Sequence, residues 1–160
     1  SAVQQGYLSS EPYTIEGQGE KPVVLLLADH GYSSYAAIIQ TSVKLVADNP
    51  DLVQRFVDAS IEGWYSYIYG DPAPANALIR KDNPEMTDAL LAYGRGKLKE
   101  YGIVDSGDSV ENGIGAMTEA RWQDFHATMA GQGLYPKDMD WRKAFTLRFV
   151  DKRVGMELKK

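Results

Sequence analysis

Few residues in this chain have the types and spacing that catalysis requires. Asp29 and His30 stand close to Ser33 and Ser34, which is the side-chain set of an acyl-transfer triad. Those serines lie outside a Gly-x-Ser-x-Gly elbow, and groups so near in sequence seldom reach triad geometry, so the set reads as a loop at a strand end. Gly113-Ile114-Gly115 has two glycines of a dinucleotide loop. It lacks the third glycine and the preceding strand, and it reads as a turn. His30 and His126 are the only histidines, and neither belongs to an HExxH or HxH pattern. His126 falls on the apolar side of a helix beside Phe125, where a hydrogen-bonded core or boundary histidine is expected. The chain has no cysteine. That excludes disulfides, thiolate nucleophiles, Fe–S clusters and Cys-based zinc sites. No catalytic residue, metal or cofactor is expected.

The aromatic residues carry a stronger signal. There are 10 tyrosines in 160 residues. Tyr65, Tyr67, Tyr69, Tyr93 and Tyr101 fall in helical sequence and read as packing or surface groups. Tyr7 and Tyr13 flank Ser9-Ser10-Glu11-Pro12, and Tyr32 and Tyr35 flank Ser33-Ser34. Two strand-end loops rich in Tyr and Ser match the lining of a small-molecule cleft, which needs flat apolar faces and a few fixed polar groups. The same residues serve ordinary aromatic packing equally well, and composition leaves both readings open.

The elements that position these loops can be read from periodicity. Val23 to Leu27 is a continuous apolar run that predicts a buried strand. Tyr35 to Thr41 and Val3 to Tyr7 are weaker strand candidates. Glu16-Gly17-Gln18-Gly19-Glu20 reads as a solvated loop. From Ser42 onward the chain reads as helices. Asn49-Pro50, Asp71-Pro72 and Asn83-Pro84 each pair a capping side chain with a proline that has no N–H to lose. Helices are predicted over 42–47, 50–69, 73–80, 84–101 and 119–130, with a short one within 138–148. Asp105 to Ala116 reads as a loop. Val53, Phe56, Val57, Ser60, Ile61, Trp64 and Ile68 mark the inward face of the second helix. Met86, Leu90, Tyr93, Leu98 and Tyr101 mark that of the fourth. Trp122, Phe125, His126 and Met129 share one side of the fifth.

Bulk properties narrow the class. The net charge of −5 leaves no electrostatic footprint for nucleic acid. No apolar run reaches the ~20 residues that span a bilayer. The opening SAVQQGYL lacks the basic and apolar regions of a signal peptide.

Three segments, 4–13 (QQGYLSSEPY), 31–36 (GYSSYA) and 49–64 (NPDLVQRFVDASIEGW), resemble ABC-transporter solute-binding proteins of the nitrate/sulfonate/taurine class. The branch they resemble is the one related to thiamine-pyrimidine-precursor binding. The resemblance implies a helix-rich α/β chain, the C-terminal portion of a two-lobed periplasmic-binding-protein-like fold. Residues 3–22 would be the end of the second lobe and a crossing segment, 23–150 the C-terminal part of the first lobe, and 151–160 a tail. It implies capture of a small organic solute, delivery to an ABC permease in the membrane, and a periplasmic or extracytoplasmic location. Glu11, Tyr32, Ser33, Ser34 and Tyr35 would face the inter-lobe cleft, with Tyr7 and Tyr13 as weaker candidates. A planar, nitrogen-rich solute such as an aminopyrimidine would use tyrosine faces and a carboxylate acceptor. Neither segment offers a basic residue beyond the adjacent His30, which favours a neutral or cationic heterocycle over an anion. Enzymes of the same family make the pyrimidine precursor with His and Cys clusters that this chain lacks. A stand-alone helical interaction module and a non-catalytic relative of those enzymes are the alternatives. A strand such as 23–27 with few neighbours is also expected to drive dimerisation of the chain.

Overall fold

The computed structural model describes residues 3–32 and 34–159. Helices dominate it. In chain order they are α1 (Glu11–Gly17), α2 (Val43–Asp48), α3 (Pro50–Tyr69), α4 (Ala73–Asp82), α5 (Asp88–Glu100), α6 (Ser109–Asn112) and α7 (Glu119–Gly131). Short 3-10 turns cover Leu27–His30, Trp141–Ala144 and Met156–Leu158.

The polar-proline signals act as their chemistry dictates. Asn49 Oδ1 accepts from Leu52 N at 3.1 Å and starts α3. Ser42 Oγ accepts from Leu45 N at 3.0 Å and starts α2. Asp71 Oδ1 takes Ala73 N at 3.0 Å ahead of α4. The third signal behaves differently. Asn83 Oδ1 accepts from Glu85 N at 3.1 Å and closes a turn. Thr87 Oγ1 then caps Leu90 N at 3.2 Å, so α5 begins at Asp88 and not at Pro84. Glu11-Pro12, expected in a strand-end loop, instead occupies the first turn of α1. The 105–116 loop contains the single turn α6. The segment 138–148 supplies only the 3-10 turn at Trp141–Ala144.

The three expected strands do not form among the described residues. A strand exists only when a neighbour completes its ladder of N–H and C=O groups, and no described segment lies alongside to do so. Leu26 keeps an extended backbone, with φ −81° and ψ 124°. Val23 and Leu25 are 86% and 76% exposed. Propensity is present and pairing is not.

The core forms around α3. Val53, Val57, Ile61 and Tyr65 recur at four-residue spacing and bury against Ile114 and Phe149. Tyr65 is fully buried, and its hydroxyl accepts from Ile114 N at 3.1 Å. Phe56 and Trp64, expected inward, face out instead. On α5 the buried residue is Leu91, one position round from the expected stripe, and Tyr101 is exposed. Gly155 adopts φ 71° against this core, and a Cβ there would lie 2.9 Å from Tyr65 Cδ2. Helix α5 also closes the end of α3. Arg95 donates to the carbonyls of Tyr67 (2.7 Å), Ile68 (2.9 Å) and Gly70 (3.0 Å). These belong to the orphan acceptors of a helix C-terminus, where a cation also meets the dipole favourably. No helix among the described residues is long and apolar enough to cross a membrane.

Candidate functional site: an aromatic cavity on α7

Tyr32, Ser34 and Tyr35 pack against α7. Thr118 caps that helix, its Oγ1 accepting from Arg121 N at 3.3 Å. Thr118 N in turn donates to the Tyr35 hydroxyl at 2.8 Å, which occupies a donor left open at the start of the helix. Arg121 reaches back the other way. Its Nη2 donates to Ser34 O at 2.9 Å, and its guanidinium carbon lies 4.4 Å from the Tyr35 ring centroid. At that separation the cation is attracted to the ring face. Tyr35 also contacts Trp122, with centroids 5.7 Å apart, and Tyr32 meets Phe125 edge-on at 5.9 Å.

Behind this layer the rings continue. Trp122 stacks on Phe145 at 4.9 Å with planes 5° apart, and Phe145 stacks on Trp141 at 6.1 Å. His126 lies over Trp141 at 6.4 Å, and its Nε2 sits 3.1 Å from Pro136 O. This is the hydrogen-bonded, buried histidine expected from the sequence. Ser34, Tyr35, Ile38, Arg121, Trp122 and Phe125 line a partly open cavity of about 130 Å³. Among the described residues, Arg121 Nε and Trp122 Nε1 are buried side-chain nitrogens without a hydrogen-bond partner.

The candidate residues divide between two places. Ser34 and Tyr35 line the cavity, and Tyr32 packs on Phe125 beside it. Ser33 lies outside the described residues. Glu11, Tyr7 and Tyr13 belong to a separate cluster on α5. Glu11 Oε2 accepts from Ser10 Oγ at 2.5 Å and from Tyr7 N at 2.6 Å. The Ser10 bond holds the Glu11 carboxyl below its ordinary range, against the opposing pull of burial. Tyr13 packs on Tyr93 of α5 at 5.2 Å, and Tyr7 is exposed. Gly94 permits this approach, since a Cβ there would lie 2.9 Å from Ser9 O.

Sequence reasoning missed Arg121, which places a guanidinium beside a segment that has no basic residue of its own except His30. Trp122 and Phe125 were visible only as the apolar side of a helix. Among the described residues no cluster of His, Asp and Glu is arranged to hold a metal.

The cavity sets aromatic faces beside fixed polar groups on a helical scaffold. Residues 1–75 match the family model described as NMT1/THI5 like. The riboflavin-binding protein RibY of Chloroflexus aurantiacus is 32% identical over 146 residues, which cover 91% of this chain and 41% of that protein. The chain thus spans less than half the length of this curated relative. No solved structure matches. The resemblance drawn from the sequence holds as a similarity: residues 1–75 are similar to the NMT1/THI5-like family, and most of the chain is similar to a riboflavin-binding protein.

Proposed function

We propose that this chain is part of the solute-binding component of an ABC importer, acting outside the cytoplasm. It captures a small planar heterocycle, pyrimidine-like or flavin-like, and hands it to a membrane permease. The observation that carries this reading is the packing of Tyr32 and Tyr35 on α7 beside a partly open aromatic cavity. The printed ligand of the relative, riboflavin, supports a flat heterocyclic solute. No chemistry is done on the ligand; closure around it is the working step.

In this reading residues 3–22 end the second lobe and cross over, 23–150 complete the first lobe, and 151–160 form a tail. The exposed apolar run at 23–27 supports it, because a strand sequence without neighbours calls for a sheet supplied elsewhere. The same run would draw two copies of the isolated chain together, which sedimentation at micromolar concentration tests directly.

The binding test is calorimetry of the 160-residue chain with riboflavin and a pyrimidine panel, repeated with Tyr35→Ala. Tyr35 carries a ring face, and losing it weakens binding by about tenfold. Binding that ignores the substitution, or that no planar heterocycle elicits, would sink the proposal. Exposed Leu52, Phe56 and Trp64 on α3 favour one other reading, a helical module that docks a protein partner.

A further inference from the structure

Among the described residues, 154–159 lie across the core with their backbone hydrogen bonds closed on the segment itself. Val154 and Met156 pack on the cluster around α3, and Gly155 approaches the Tyr65 ring. The N–H groups of Met156, Leu158 and Lys159 donate to the carbonyls of Arg153 (3.4 Å), Gly155 (2.9 Å) and Met156 (3.1 Å). The backbone tie to the body sits at the root, where Arg153 N donates to Asn112 O at 3.1 Å. Beside that root the backbone turns left-handed twice, at Arg153 (φ 60°) and Gly155 (φ 71°). A non-glycine residue in that region is strained and persists where its surroundings fix it. A short segment bonded to itself beyond such a point can open as a unit.

A polar contact holds the far end. Lys159 Nζ lies 2.8 Å from Asp105 Oδ2, which also accepts from the Tyr69 hydroxyl. The same ammonium sits 5.5 Å from the Tyr69 ring centroid. The two charges are unequally placed. The Asp105 side chain is 4% exposed and its Oδ1 is buried without a hydrogen-bond partner, whereas the Lys159 side chain is 40% exposed. Moving Lys159 into water returns hydration to the ammonium. It leaves the carboxylate nearly buried, with the Tyr69 hydroxyl still donating to it. Taking one partner from such a pair is costly because the charge that stays is uncompensated. The penalty for opening therefore falls on Asp105.

We infer that residues 154–159 form an ionic latch: a strap hinged at Arg153–Gly155, closed over the Tyr65–Tyr69 end of α3 by Lys159 on Asp105. The strap opens without unfolding the helices beneath it. Opening uncovers the Tyr65 ring and the Gly113 backbone, which Met156 approaches when the strap is closed. Salt, or neutralisation of either charge, shifts the strap toward the open form.

Hydrogen exchange on the 160-residue chain reads the latch directly. The amides of Leu158 and Lys159 report the strap, and those of Val57 and Ile61 report α3. In the unmodified chain, raising the salt to about 0.5 M should speed strap exchange roughly threefold and leave the α3 amides unchanged. Lys159→Met and Asp105→Asn should each speed it by about tenfold, again without change in α3. Lys159→Arg keeps a cation at the carboxylate and should stay within about threefold of the unmodified chain. Strap amides that exchange in the unmodified chain as fast as an unstructured peptide refute the latch. Strap exchange that ignores salt and both neutralising substitutions shows that the ion pair does not hold it. Variants that speed the strap and α3 by the same factor make the segment part of the core, opening only with it, and overturn the inference as well.

Discussion

Replacing Tyr65 by Phe isolates one buried hydrogen bond. The ring stays, so its packing against Val57, Ile61 and Phe149 is retained in kind. What goes is the hydroxyl that accepts from Ile114 N at 3.1 Å. Tyr65 is 0% exposed and Ile114 5%, so water cannot take the place of the lost acceptor. An amide left unsatisfied in such a place costs about 1–3 kcal/mol. For a domain of this size a loss of about 2 kcal/mol lowers the melting midpoint by roughly 4–8 °C. Urea denaturation followed by tryptophan fluorescence should show a lower midpoint at unchanged slope, since the surface exposed on unfolding is the same. Tyr67→Phe is the matched control. Its hydroxyl donates to Asn76 Oδ1 at 3.1 Å on a part-buried surface where water can substitute, and it should cost less than about 1 kcal/mol. A neutral Tyr65→Phe beside a costly Tyr67→Phe would refute the argument that burial sets the magnitude.

Arg95→Met should destabilise the chain by about 1–2 kcal/mol in the same assay, because three carbonyls at the end of α3 lose their donor. Gly155→Ala combines a left-handed backbone with a contact at 2.9 Å to the Tyr65 ring, and should lower the midpoint by at least as much as Tyr65→Phe. Glu11 has a folded-state pKa below its ordinary value of 4.5, chiefly through Ser10. Its contribution to stability is therefore present above about pH 4.5 and lost as pH falls through the lowered folded value. NMR titration should find that Ser10→Ala moves the Glu11 pKa upward, and an unchanged value would show that Ser10 is not the cause.

Local chemistry was legible where it is self-contained. Asn49-Pro50 and Gly70 bound α3 because a cap, a missing N–H and a glycine act within a few residues. Asn83-Pro84 misled because an Asn side chain can close a turn as readily as cap a helix, and Thr87 competes three residues before Leu90 N. The inward face of α3 was found except for Tyr65, whose hydroxyl disguised a core residue. Phe56 fits the same helical period but is 61% exposed, and Trp64 is only partly covered, by Ala75 and Ile79 of α4. The strands failed for a different reason, since pairing is supplied by a neighbour and not by the run itself. Part of the cavity was legible in Ser34 and Tyr35. The rest depends on contacts 83 and 87 residues away in sequence, which no local pattern encodes.

The uncovered apolar run at 23–27 has a calorimetric consequence. Folded domains gain ~12–15 cal/mol/K of heat capacity per residue on unfolding because apolar surface meets water for the first time. Val23 and Leu25 already meet it in the folded chain, so their part of that increment is missing. The temperature dependence of stability is flatter as a result. Any chain segment that seals the run against water adds heat capacity as well as free energy, and sharpens the curve on both its warm and its cold side.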